Sequence, residues 1–246
     1  MSESAMTNAA RRRFLQRLGL GALGLAAGAT QFAEADLPAG AAASETRWGM
    51  MVDADKCAEG CTACVSACND EHGLSPTLGA TTDAQWIRKL TVRDKQTGYI
   101  SRFPVMCQHC EFPPCVDVCP TGASFRRPDG IVLVDKHTCI GCRYCVIACP
   151  YDARAFVHEP ISNQLPHAPR GRGTVEGCTF CVHRLDADRS NSPACVEACA
   201  DAGHGALIFG DLNDPDSAVA RAMGTESSQA LRADLRTNPG VRYRNV

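Results

Sequence analysis

Large aromatic side chains are scarce in this 246-residue chain, which carries two Trp, four Tyr and eight Phe. That is a thin stock for a core of this size, so apolar burial alone does not account for the fold. An excess of one charge is lacking too. With 25 basic and 27 acidic residues the formal charge is −2, which excludes the basic footprint of a nucleic-acid binder. There is no nucleophile–base constellation, phosphate loop or substrate-binding signature, so no separate catalytic centre is expected. What the chain has in abundance is cysteine, sixteen residues. Covalent or metal cross-links are therefore expected to hold much of the fold.

The N-terminus reads as an address. Arg11, Arg12, Arg13, Phe14 and Leu15 precede an apolar stretch from Leu18 to Ala29, followed by the small residues Ala33 and Ala35. This layout is that of a signal peptide over residues 1–35, and its paired arginines match the twin-arginine export route, which carries folded proteins. Cleavage is expected after Ala35, with Ala41 to Ala43 as a later alternative. The apolar run is shorter than the roughly 20 residues that span a bilayer, which leaves an uncleaved interfacial anchor as the competing reading. Removing 1–35 leaves 21 basic and 25 acidic residues, a formal −4, with no other stretch near spanning length. The expected location is the periplasm, on the membrane only through partners.

The cysteines form four runs of four with none left over. They are Cys57, Cys61, Cys64 and Cys68; Cys107, Cys110, Cys115 and Cys119; Cys139, Cys142, Cys145 and Cys149; and Cys178, Cys181, Cys195 and Cys199. The third run has the spacing of a bacterial 4Fe-4S ferredoxin, in which the fourth cysteine serves the neighbouring cluster. The reason is geometric: cysteine at every third residue of a tight loop turns three sulfurs toward one centre, and the chain has moved away by the fourth. Pro120 and Pro150 follow the last cysteine of the second and third runs, where proline stops a short helix. A disulfide framework would also use an even count, but such scaffolds are usually much shorter and do not need four compact runs. Paired CxxC units could hold zinc, yet zinc leaves the triplets and Cys-Pro endings unexplained.

An internal repeat organises the chain. Gly60 to Cys68 matches Gly141 to Cys149 as GCxxCVxAC, 81 positions apart, and Cys115-Val-Asp-Val-Cys119 matches Cys195-Val-Glu-Ala-Cys199, 80 apart. The expected fold is α+β, a duplicated bacterial ferredoxin-like unit with short strands, loop-rich and stabilised by its clusters. Gln85 to Arg93 and Tyr99 to Val105 predict a hairpin; Ile131 to Val134, Ala153 to His158 and Ala206 to Phe209 predict further short strands. Ser217 to Met223 predicts an amphipathic stretch.

With these runs in place the chain resembles the four-cluster iron–sulfur subunits of the dimethyl sulfoxide reductase family and its polysulfide, thiosulfate, tetrathionate and nitrite reductase relatives. The resemblance is carried by Cys107-Gln-His-Cys110 with Pro113-Pro114-Cys115, by Cys139-Ile-Gly-Cys142 with Cys149-Pro-Tyr151, and by Cys178-Thr-Phe-Cys181 followed by Arg184. Within the family, the leader, the Glu59-Gly-Cys-Thr62 segment and Ala206 to Asp211 are most similar to exported subunits of sulfite-reductase-associated membrane complexes. Two departures are visible: three residues rather than two follow Cys57, and Ala200 stands where many relatives have proline.

The resemblance implies four 4Fe-4S clusters. Their ligands would be Cys57, Cys61, Cys64 and Cys199; Cys178, Cys181, Cys195 and Cys68; Cys107, Cys110, Cys115 and Cys149; and Cys139, Cys142, Cys145 and Cys119. Residues 36–105 and 161–210 would form the two halves of an outer module, the first with a hairpin insertion, and 106–160 an inner two-cluster module. Residues 211–246 would be a C-terminal docking tail, or a passive cap. The implied role is electron transfer without a substrate site of its own. The implied partners are a quinone-interacting integral membrane subunit, a periplasmic multihaem cytochrome c, other subunits of the complex and, during export, the twin-arginine translocase. Alternatives are the beta subunit of a molybdopterin reductase and an iron–sulfur redox sensor or structural protein. Lys136, His137 and Arg143 lie near ligands in sequence, either stabilising reduced clusters or standing as solvated charges, and His109, between two ligands, reads as a residue that packs against the site or supports its ligands rather than as a ligand itself.

Overall fold

A computed structural model describes residues 45–246 apart from 76–78, 80, 81 and 163. The expected signal peptide over 1–35 lies outside the described residues. Helices and small sheets are mixed along the chain, and no described helix is long and apolar enough to cross a membrane.

The largest sheet has three strands, with β1 (Trp48–Asp53) between β8 (Leu207–Asp211) and β9 (Val241–Arg244). Strand β1 pairs antiparallel with β8, Trp48 opposite Asp211, and parallel with β9, Met50 opposite Val241. Neighbours on both sides bury all six β1 residues. Such a strand loses the alternation that makes an amphipathic strand legible, and it lies outside the expected elements. The end of the C-terminal segment is built into this sheet. Val241 and Tyr243 are fully buried, and Gln108 Nε2 donates to the Tyr243 hydroxyl at 3.0 Å, tying the chain end to the second cysteine run.

The expected hairpin is present as β2 (Arg88–Arg93) and β3 (Ile100–Val105), with Arg88 opposite Val105 and Arg93 opposite Ile100. Its turn closes because Asp94 Oδ1 accepts the backbone N–H groups of Gln96 and Thr97, both at 2.7 Å. The hairpin touches the first run directly: Lys89 Nζ donates to the Cys61 carbonyl at 2.6 Å. Shorter pairs are β4 (Ser124–Arg126) with β5 (Val132–Val134), and β6 (Ala155–Phe156) with β7 (Val175–Glu176). The expected strand from 153 to 158 thus shrinks to two paired residues.

Four of the described helices carry cysteines within them: α1 (Ala63–His72), α2 (Pro114–Asp117), α3 (Tyr144–Ala148) and α5 (Ala194–Asp201). Helix α1 packs on α5, and α2 on α3. Gly73 ends α1 in the left-handed conformation (φ 62°), where a Cβ would be strained, and its N–H returns to the Asn69 and Asp70 carbonyls. Helix α4 (Val182–Ala187) follows Cys181, and α6 (Ala218–Thr225) covers the expected amphipathic stretch, capped by Ser217 Oγ accepting the Ala220 N–H at 3.1 Å.

Candidate metal centres

The residue before the second cysteine has positive φ in every run: Gly60 (72°), His109 (43°), Gly141 (68°) and Phe180 (53°). Left-handed backbone at that position curls each loop back on its first cysteine. For a non-glycine residue this costs on the order of 1 kcal/mol, so His109 and Phe180 must be held there by packing. Their rings stack on each other, centroids 3.7 Å apart. At Gly141 a side chain is excluded outright, because a Cβ would stand 2.0 Å from the Gly173 carbonyl oxygen.

All sixteen cysteines are free thiols, and electrostatics shows which face each other. Burial first, and then Cys57, Cys199 and Cys61, push Cys64 up to about 11. Burial likewise raises Cys68, next to Cys181; Cys178, next to Cys68 and Cys195; and Cys195, next to Cys181 and Cys68. Cys107 is pushed up to about 12 and Cys110 to about 11 by burial, with Cys115 and Cys149 adding to both. Cys119, Cys139, Cys142 and Cys145 line one cavity. The tertiary structure therefore brings three thiols of each run toward a fourth from its partner run.

Three cross-influences put these groups in order. Cys64 acts on Cys195, Cys107 on Cys178, and Cys115 on Cys145. Exposure follows the same order. Cys57 and Cys61 at one end are half-buried and Cys142 at the other is exposed, whereas Cys68, Cys178, Cys181 and Cys195 are all buried.

The sulfurs receive donors from fixed backbone. The N–H groups of Ala206, Ser124, Ala153 and Val175 reach Cys199, Cys119, Cys149 and Cys139 at 3.3 to 3.4 Å. His72 Nε2 lies 3.4 Å from Cys181 Sγ, and burial holds this imidazole down at about 4, so it stays neutral at pH 7. Arg154 is buried and donates from Nη2 to Cys115 Sγ at 3.3 Å. Among the described residues no carboxylate forms an ion pair with Arg154. A buried cation without a carboxylate partner is costly, so this pocket suits an anionic occupant. Soft thiolate donors, N–H groups aimed at sulfur and a buried cation together fit iron–sulfur clusters, whose charge is negative and grows on reduction.

Of the candidate modulators expected from sequence, Lys136 stands within electrostatic reach of Cys139, and each has a further partner of its own. Arg143 stacks on the Phe156 ring at 3.9 Å, and Lys136 Nζ donates to the Val134 carbonyl at 3.4 Å. The backbone N–H of His137 donates to Asp135 Oδ1 at 2.8 Å. Arg154 escapes sequence reasoning, since nothing in its neighbourhood marks it apart from a position five residues after Cys149. The fold also gathers Glu71, His167 and His183, which share no ligand spacing in the sequence. His183 Nε2 meets Glu71 Oε1 at 2.7 Å and Arg184 Nε stands 3.4 Å from the same oxygen, which makes this an ion-pair network with its own cation.

A family model described as a 4Fe-4S dicluster domain matches residues 98–212. The iron-sulfur subunit 1 of an Hdr-like menaquinol oxidoreductase from Archaeoglobus fulgidus is 40% identical, over 95% of this chain and 97% of its own length. A tetrathionate reductase subunit from Salmonella typhimurium is 38% identical over 96% of this chain and 88% of its own. The chain belongs to this family of iron–sulfur subunits. The NrfC protein of Escherichia coli is a further relative, 36% identical over 78% of each chain. As a member of the family the chain is an electron-transfer subunit of an oxidoreductase complex rather than its catalytic subunit, and its cysteines hold multiple 4Fe-4S clusters.

Proposed function

We propose that the chain is a linear electron relay of four 4Fe-4S clusters on the periplasmic side of a sulfur-metabolism respiratory complex of the Dsr type, in the position of the subunit DsrO. The observation that carries the relay is the ordered succession of thiol groups, buried in the middle and reaching the surface at both ends. Cys57, Cys61, Cys64 and Cys199 hold the first cluster and Cys68, Cys178, Cys181 and Cys195 the second. Cys107, Cys110, Cys115 and Cys149 hold the third, and Cys119, Cys139, Cys142 and Cys145 the fourth. Helix α1 against α5, and α2 against α3, support a duplicated ferredoxin-like arrangement in which each helix pair exchanges its last cysteine.

When bound, the clusters supply one-electron oxidation and reduction. The chain's own residues hold them, keep water from the middle pair, and donate hydrogen bonds to sulfur that favour the reduced state. Export in folded form by the twin-arginine route suits a protein whose sixteen thiolates would otherwise meet an oxidising compartment unprotected. The partners are a quinone-interacting integral membrane subunit and a periplasmic multihaem cytochrome c; a relative named as a menaquinol oxidoreductase subunit supports the quinone side. Similarity to a tetrathionate reductase subunit favours a second reading, the beta subunit of a molybdopterin reductase for a sulfur compound.

Anaerobic iron and acid-labile sulfide analysis of the loaded protein, with redox-titrated EPR, tests the relay. About sixteen of each per chain and interacting signals at several potentials are expected; zinc, or thiols consumed in disulfides, would end the proposal. Co-purification from membranes separates the two complexes, since a haem protein is expected with the first and a molybdopterin subunit with the second.

A further inference from the structure

Arg154 occupies a place that neither a surface charge nor a packing residue explains. It is 5% exposed, yet among the described residues its hydrogen bonds go only to Cys115 Sγ at 3.3 Å and Ser124 Oγ at 3.4 Å, both from Nη2. Cys115 belongs to the third thiol group. Ser124 leads to the fourth, because its backbone N–H donates to Cys119 Sγ at 3.3 Å. The flanking residues bridge the same two groups. Ala153 N–H reaches Cys149 Sγ at 3.4 Å, and Ala155 pairs with Glu176 beside Val175, whose N–H reaches Cys139 Sγ at 3.4 Å. The nearby Glu176 carboxylate is not available to compensate Arg154, because Arg170 holds it through Nη2 at 2.7 Å and Nε at 3.0 Å.

We infer that Arg154 is a shared counterion of the third and fourth clusters and raises the reduction potential of both. The inference rests on the four-cluster reading and adds to it which pair is tuned and by which side chain. The physical basis is that reduction adds one negative charge to a cluster while no bond forms or breaks. A fixed positive charge in a site shielded from water therefore favours the reduced state, and does so for every cluster within its reach. Arg154 acts through the ligand sulfurs, and its charge is permanent at any pH the protein meets. The first thiol group has a cation of its own in Lys89, which hydrogen-bonds Cys57 as well as the Cys61 carbonyl, and Arg184 beside Cys181 in the second is also held by the Ser192 carbonyl and the Glu197 carboxylate.

The test is EPR-monitored redox titration of the cluster-loaded protein with Arg154→Gln and Arg154→Lys. Iron and sulfide are counted first, so that fewer than four clusters in the unsubstituted protein speaks against the four-cluster reading and not against Arg154. In a fully loaded Gln variant, two of four midpoints are expected to fall by at least tenfold in the reduction constant, about 59 mV for a one-electron couple, with the other two within threefold. The Lys variant should recover most of that shift. Unchanged midpoints, or an equal fall of all four, would overturn the inference. If the Gln variant does not load fully, the Lys variant decides: full loading supports a requirement for charge at this position, and failure there as well overturns it.

Discussion

The Nδ1 of His109 accepts the backbone N–H of Val132 at 3.0 Å while the same ring stacks on Phe180, so one imidazole joins the second cysteine run, strand β5 and the fourth run. Burial holds His109 down at about 3, and it stays neutral at pH 7. Replacing it by Ala leaves a cavity and an unpaired Val132 amide. A loss of about 3 kcal/mol or more is expected, and about 1 to 3 for His109→Phe, which keeps the stack and loses the acceptor. Anaerobic denaturant unfolding of the loaded protein measures both, and two variants as stable as the parent would contradict this account.

Gly141→Ala should remove one cluster. The substitution puts a Cβ 2.0 Å from the Gly173 carbonyl and forces alanine into a left-handed conformation. Displacement of the Cys139–Cys142 loop should cost about four iron atoms per chain and leave the rest. Gly60→Ala, with the same positive φ but nothing within 4 Å of its Cβ, is the control and should retain them. Iron analysis showing no difference between the two variants would refute the steric argument.

The exposed end of the proposed relay carries an apolar collar. Ile140, Tyr144 and Ile147, within five residues of Cys142 in the chain, are 66%, 58% and 82% exposed. Contiguous exposed apolar side chains beside a redox site mark a docking face. Ile147→Lys should leave the iron content unchanged and reduce co-purification of partner subunits severalfold. Equal recovery of partners would move the docking face elsewhere.

Iron removal should unfold much of the chain. The strands outside the central sheet are mostly two or three residues long and the thiols are buried, so clusters replace core. Chelation under reducing conditions is expected to abolish protease resistance and much of the circular dichroism. Reassembly should improve from pH 7 to about 8.5. In the unfolded iron-free chain the thiols are exposed and mostly protonated at pH 7, each must lose its proton to bind iron, and raising the pH toward the ordinary thiol value of about 8.5 favours that loss. A chelated protein that stays resistant, or a flat pH profile, would count against this coupling.

What could be read from sequence was local. Cysteine spacing, the Asp94 to Gly98 turn and the apolar pattern after Ser217 depend on neighbours a few residues away, and for that reason the four runs, the hairpin and the amphipathic stretch were all legible. Strand β1 escaped because a strand buried on both sides has no alternation, and β9 because its partner lies nearly two hundred residues upstream. The repeat showed that the chain is built from related halves but left open which runs face each other. That was decided by the packing of α1 on α5 and of α2 on α3, contacts between helices with no complementary pattern in their sequences. Arg154 is the sharpest case: an unremarkable arginine in sequence becomes a buried cation between thiol groups only once β6 and β4 are in place. The sequence determined what each loop can bind, because ligand spacing is a property of the local chain. Only the tertiary structure decided which groups are neighbours and what charge stands between them, because both depend on distance through space.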